Sequence, residues 1–251
     1  MKKLISLLLI IILSVSFSVS AAAEQTVLDS SDQVMTFCLG NDGGVLSVTR
    51  GVLCRDGVDE EAYLVCLEGT SWLLTRGNNI FSYLRSCMFF DTSYVHNARR
   101  IITLTVPAGS KIILAGHSLG GMTAQQLAAD STLKSRYEII NVLACGSPLI
   151  LTENEREGEL HRLADVTDII PTRSLAGSLN YEMAISFEDG NYNNSSSAHS
   201  KSYKRADLWN SYDVLGVKDG EACFSYDFED VHHFTTSFFE IFFLPFMIKF
   251  C

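Results

Sequence analysis

Lys111 to Asp130 reads KIILAGHSLGGMTAQQLAAD. The first part, KIILAG (Lys111 to Gly116), is a short unbroken apolar run, the pattern of a strand buried on both faces. The last part, LGGMTAQQLAAD (Leu119 to Asp130), has helical composition and follows at once. A strand that passes straight into a helix needs a sharp corner, and Ser118 stands at it between Gly116 and Gly120.

Working outward, the same alternation recurs. IINVLACG (Ile139 to Gly146) reads as the next strand, and HRLADVTDIIP (His161 to Pro171) holds a fourth. Upstream, GVLSVTRGVLC (Gly44 to Cys54) is rich in β-branched residues with glycine breaks and suggests an early strand or hairpin. AYLVCLEG (Ala62 to Gly69) reads as a buried strand, and NIFSYLRSCMFF (Asn79 to Phe90) as an amphipathic helix. SYVHNARRIITLTV (Ser93 to Val106) reads as a helix stopped by Pro107 and Gly109. Strands alternating with helices imply crossover connections, so the expected fold is an α/β three-layer sandwich with a mainly parallel central sheet.

The 251 residues suffice for one sizeable domain, and 47% hydrophobic with 19% charged residues is globular composition. Residues 1–23 read as a secretory signal peptide, leaving 24–251 as the single domain. Lys2 and Lys3 precede an apolar core from Leu4 to Leu13, and small residues at Ala21 to Ala23 suit a signal peptidase. The expected location is therefore extracellular, with a permanent amino-terminal anchor as the alternative. Removing that segment lowers the basic count from 19 to 17 against 29 acids, a formal charge of −12. Without a basic cluster to neutralise phosphates, nucleic acid is a poor partner. Seven cysteines (38, 54, 66, 87, 145, 223 and 251) leave at least one unpaired, and their spacing gives no connectivity. No C-x-x-C pair appears, so zinc and thioredoxin-type chemistry have no support, and most of these cysteines are expected to be small buried hydrophobes.

Functional groups of an open parallel sheet gather at the carboxyl ends of its strands, which is where Ser118 falls. GHSLG (Gly116 to Gly120) fits the G-x-S-x-G nucleophile elbow. Glycine two positions either side of the serine avoids collisions with neighbouring elements. The helix that follows aims its amino terminus at the serine, and the Leu119 N–H is one donor for an oxyanion. A structural glycine turn is the other reading of the same residues. A serine hydroxyl is a weak nucleophile, so it requires a histidine base and an acid to orient that base. Downstream histidines are His161, His199, His232 and His233, and Asp165 and Asp168 are nearby acids.

Several patches resemble the class 3 lipase family, the fungal-type triacylglycerol lipases with bacterial and plant relatives. GHSLGG is similar to that family's elbow, DVTDIIP (Asp165 to Pro171) to its acid-bearing stretch, and HSKSY (His199 to Tyr203) to its late histidine. LEGTS (Leu67 to Ser71) is similar to its oxyanion strand end, with Glu68 where the family usually has arginine. The resemblance implies an α/β-hydrolase-like fold, a catalytic triad of Ser118, Asp168 and His199, and an oxyanion hole from the Thr70 and Leu119 amides. Asp165 is the alternative acid. His232 and His233 are fallback bases, and His161 precedes Asp168, the wrong order.

The expected activity is hydrolysis of carboxylic esters of acyl lipids through an acyl-enzyme on Ser118, without a metal or an organic cofactor. The expected partners are an acyl lipid or small ester substrate and a transient lipid interface. SWLLTRGNNIFSYLRSCMFF (Ser71 to Phe90) is the candidate acyl groove or interface contact, or else a core helix. Residues 237–251 are intensely aromatic, but Glu240, Pro245 and Lys249 interrupt them, against a spanning helix. Two rival readings use the same scaffold: a serine hydrolase of non-lipid esters or thioesters, and a non-catalytic binding protein.

Overall fold

The computed structural model describes residues 25–40, 45–70, 92–150, 152, 154–173 and 185–235. Expectations for the signal segment, for Ser71 to Phe90 (the groove or interface stretch and the helix within it) and for 237–251 lie outside these residues.

β1 (Gln25–Leu28) leads into α1 (Ser31–Leu39), then β2 (Leu46–Arg55) and β3 (Val58–Leu67). The last two form a hairpin in continuous register from Leu46 opposite Leu67 to Arg55 opposite Val58. Its two-residue turn is Asp56-Gly57, both at positive φ, 54° and 72°. That geometry matches the twist of the flanking strands, and Asp-Gly is among the sequences that adopt it. The expected early hairpin is thus β2 paired with the strand read next along the chain.

α2 (Ser93–Thr105) follows, then β4 (Lys111–His117), α3 (Leu119–Ala129), α4 (Ser131–Lys134) and β5 (Glu138–Cys145). β6 (Glu159–Asp165), β7 (Ile185–Glu188), α5 (Ser195–Lys201), α6 (Ala206–Trp209), β8 (Cys223–Asp227) and β9 (Val231–Phe234) complete the order. Thr92 caps α2 by accepting from the Val95 N–H at 3.2 Å. Val106 already has extended backbone, so the helix stops just ahead of Pro107.

Among the described residues nine strands form one sheet, in the order β1-β8-β2-β3-β4-β5-β6-β7, with β9 also on β2. β3 through β7 run parallel. β1, β8, β2 and β9 pair antiparallel. The fold is therefore α/β with a mostly parallel, mixed central sheet.

Burial explains the apolar runs. On β4, Ile112 and Leu114 face a cluster with α2 and α3, while Ile113 and Ala115 face a second cluster with α1 and α6. β3 divides likewise, with Tyr63, Val65 and Leu67 on one side and Ala62, Leu64 and Cys66 on the other. Helices cover both faces, so from Ala62 to Leu67 on β3 and from Ile112 to Ala115 on β4 no alternation with polar residues is visible.

The fourth strand expected within His161 to Pro171 is present as β6 and ends at Asp165. The Asp165 carboxylate accepts from the Thr167 N–H at 2.8 Å, and the Asp168 N–H donates to the Asp165 carbonyl at 2.9 Å, which turns the chain out of the sheet. The cysteines are not all simple buried hydrophobes. Cys38 on α1 is disulfide-bonded to Cys66 on β3, with Cα atoms 5.1 Å apart. Cys145 alone among the described free thiols is fully buried, and burial pushes it far above the ordinary thiol range.

Candidate active site

Ser118 is the single residue between β4 and α3. Its φ of 54° and ψ of −119° put a non-glycine residue in a strained region. The surroundings over-determine that conformation. The Ser118 N–H donates to the Cys145 carbonyl at 2.9 Å, and its own carbonyl accepts from the Met122 N–H at 3.2 Å. A Cβ at Gly120 would lie 2.1 Å from the Leu67 carbonyl oxygen, and one at Gly116 would lie 2.4 Å from the Gly120 backbone. The glycines let the helix start sit directly against the ends of β3 and β4.

The serine hydroxyl meets a histidine. His199 Nε2 lies 3.0 Å from Ser118 Oγ, and His199 Nδ1 lies 2.8 Å from Asp168 Oδ2. Ser118 and Asp168 are buried, and the His199 side chain keeps 21% of its exposure. The network assigns the proton to Nδ1, which donates to Asp168, and leaves Nε2 to accept from the serine. His199 sits in the last turn of α5, not in an irregular loop. Asn194 starts that helix by accepting from the Ser197 N–H at 2.9 Å.

Asp168 is held from three sides. Its Oδ1 accepts from the Ile170 N–H at 3.0 Å, and its Oδ2 accepts from the Tyr203 hydroxyl at 2.7 Å as well as from His199. Burial and the Asp168 charge raise the Tyr203 phenol well above its usual range, so it stays a donor. Asp165, the alternative acid, is used otherwise. It accepts from the Ser202 hydroxyl at 2.8 Å and the Gly190 N–H at 3.1 Å, fastening the histidine segment to the end of β6. His232 and His233 pair across to Val48 and Ser47 on β2, away from Ser118. His161 lies on β6 beside Glu159.

A cavity of about 540 Å³ opens over Ser118. Gly69, Thr70 and Glu68 form one wall, Leu39 and Ile170 supply apolar surface, and Ser196, Ser200 and Lys204 line the side next to His199. The Gly69 backbone approaches Ser118 so closely that a Cβ there would lie 3.4 Å from the serine Cβ. This sets the segment that follows β3 beside Ser118, and Thr70 on that segment lines the same cavity. Among the described residues no group of three His, Cys, Asp or Glu side chains is arranged to hold a metal ion.

Three contributors escaped the sequence reading. Tyr203 was noted there only as a neighbour of the histidine. Arg162 is buried, and its guanidinium donates to the Ser147 carbonyl at 3.0 Å and the Pro171 carbonyl at 2.8 Å, bracing the turn that carries Asp168. Burial lowers it to about 10, so it keeps its charge at neutral pH. His117, the residue inside the elbow, is buried, and its Nε2 donates to the His199 backbone carbonyl at 2.9 Å. Its ring lies 4.6 Å from that of His199 and 5.3 Å from that of Tyr203. β4 therefore holds the His199 backbone through His117, while Asp168 holds the His199 ring.

Burial first, and the His199 ring next, push the His117 imidazole from 6.5 down to about 3. His117 is thus a neutral donor at ordinary pH. Because the folded value lies below the unfolded one, the unfolded chain takes up the extra proton between them. The stability from neutral His117 is present in full above about pH 6.5 and is lost as pH falls toward 3. This one group is expected to steepen the loss by up to about 1.4 kcal/mol per pH unit. Urea unfolding midpoints measured from about pH 7 to about pH 4 check it, with His117→Gln flattening the profile by one proton.

No family model, curated protein or solved structure gives a significant match to this chain, and the functional reading rests on the geometry of the site.

Proposed function

We propose that the protein is a serine hydrolase of carboxylic esters, with an α/β-hydrolase-like three-layer fold similar to that of class 3 lipases. The observation that carries this reading is the continuous line from Ser118 Oγ through His199 to Asp168, at 3.0 and 2.8 Å, at a strained strand-to-helix corner. In the proposed mechanism His199 Nε2 takes the serine proton as Ser118 Oγ attacks the ester carbonyl. Buried Asp168 stabilises the imidazolium that forms. The Thr70 and Leu119 amides, with the helix dipole behind Leu119, hold the oxyanion. His199 then protonates the leaving alcohol, and a water activated by the same imidazole releases the acid.

An acyl lipid is the proposed substrate, met by a secreted protein at a transient lipid interface. Leu39 and Ile170 line the cavity, while Val166 and Ile169, within two residues of Asp168 in the chain, leave 55% and 47% of their surface exposed. No helix among the described residues is long and apolar enough to cross a membrane.

A fluorophosphonate probe tests the chemistry directly. The folded protein is expected to form one covalent adduct, which peptide mapping places on Ser118, and heat-denatured protein is expected to form none. A folded protein that stays unlabelled, or that labels elsewhere, overturns the reading in favour of a binding protein.

A further inference from the structure

Away from the active site, two free thiols face each other across neighbouring strands. Cys54 on β2 and Cys223 on β8 are direct partners in the antiparallel register, where they close the ladder that also pairs Leu53 with Phe224 and Val52 with Ser225. Directly opposed residues of an antiparallel pair have Cα atoms about 4.5–5.5 Å apart, inside the range that a disulfide spans. Both side chains are half-buried, which leaves them open to a small reagent. The other described cysteines are differently placed, since Cys38 and Cys66 are bonded and Cys145 is buried.

We propose that Cys54 and Cys223 form a thiol pair that closes to a disulfide by exchange with a small disulfide such as oxidised glutathione. One thiolate attacks the donor's S–S bond, forms a mixed disulfide and expels the first donor thiol. The second cysteine attacks the protein sulfur of that mixed disulfide, forms the Cys54–Cys223 bond and expels the second donor thiol. The two cysteines lose two protons and two electrons, and the donor gains both as two thiols. The Asp59 side chain, opposite Cys54 on β3, governs the rate. It is the largest cause that holds the Cys54 thiol up at about 11, so little thiolate is present at neutral pH. The pair is therefore stable as dithiol in the short term and closes faster as pH rises.

The placement gives the bond a role. The covalent loop from residue 54 to residue 223 encloses Ser118, Asp168 and His199, and β8 is where the segment carrying His199 rejoins the sheet. Closure pins the far end of that segment to β2 and restricts the unfolded chain.

The test uses the full chain and is independent of hydrolase activity. Purified protein is incubated with oxidised glutathione, then denatured, alkylated and mapped. The expected result is loss of alkylation at Cys54 and Cys223 together and a linked peptide two hydrogens lighter than its parts. Its formation is expected to speed up by about 10²-fold between about pH 7 and about pH 9, because the thiolate fraction rises tenfold per pH unit below the thiol's own value. The oxidised protein should unfold at higher urea concentration than the untreated one, a gain absent from Cys223→Ser. Both thiols alkylating freely after treatment, or carrying only separate glutathione adducts in protein with native circular dichroism, overturns the proposal.

Discussion

Ser118→Ala is expected to lower kcat on a p-nitrophenyl ester by about 10⁵-fold or more while the protein stays folded. The large effect follows from the arrangement of the parts. The base and acid remain after the substitution, but His199 Nε2 then has no hydroxyl to deprotonate. What survives is the rate that a polarised carbonyl and a positioned water supply, roughly 10³-fold over the reaction in water. The fold should persist because alanine keeps the Cβ and therefore the same backbone strain at φ 54°. Only the hydrogen bond to His199 is lost from the elbow, about 1 kcal/mol. Kinetics on protein of verified native circular dichroism decide the matter. Retention of full activity would remove Ser118 from the chemistry.

Asp168→Asn is expected to cost about 10⁴-fold in kcat with little change in KM. The reason lies in the three donors that meet at this side chain: the Ile170 N–H, the Tyr203 hydroxyl and the His199 ring. An asparagine has one carbonyl oxygen. If that oxygen keeps the Ile170 N–H, its NH₂ group faces Nδ1 and favours the tautomer with the proton on Nε2. That ring can no longer accept from Ser118. If the amide flips, the Ile170 N–H meets an NH₂ group instead, and no charge remains to balance an imidazolium. A kcat within tenfold of wild type would assign the orienting role to another acid.

What the sequence reveals about this fold divides by the range of the interactions. The corner at Ser118 is legible because its causes are local: an apolar run, glycines at set offsets and a helix start all fall within one short stretch. The five parallel strands are less evenly readable. β3, β4 and β5 announce themselves because burial on both faces leaves a mostly apolar run in each, at Ala62 to Leu67, Ile112 to Gly116 and Ile139 to Cys145, while the mostly exposed VDEE start of β3 is not readable as strand. β6 is legible as a strand within HRLADVTDIIP but not in its end, because the Asp165 side chain turns the chain before the apolar pair Ile169 and Ile170. β1, β7, β8 and β9 have only four or five residues each, too few for a period to emerge. Asp168 and His199 are reached through chain order and resemblance. The supports behind them are not, because His117 touches the backbone of a residue 82 positions away and Tyr203 reaches back 35 positions to Asp168. No local pattern encodes such contacts.

The Cys38–Cys66 bond has a consequence for the cavity itself. Leu39 follows one sulfur by a single residue, and Glu68, Gly69 and Thr70 follow the other by two to four, yet all four line the space above Ser118. Two separate stretches of the cavity lining are thus tied at one point by a bond rather than by packing alone. In a reduced chain Ser118, His199 and Asp168 would still be held by their own contacts, but these two stretches of the lining would lose their covalent tie. Under the proposed mechanism, the step that oxidation completes is the setting of the oxyanion wall, separate from the assembly of the triad.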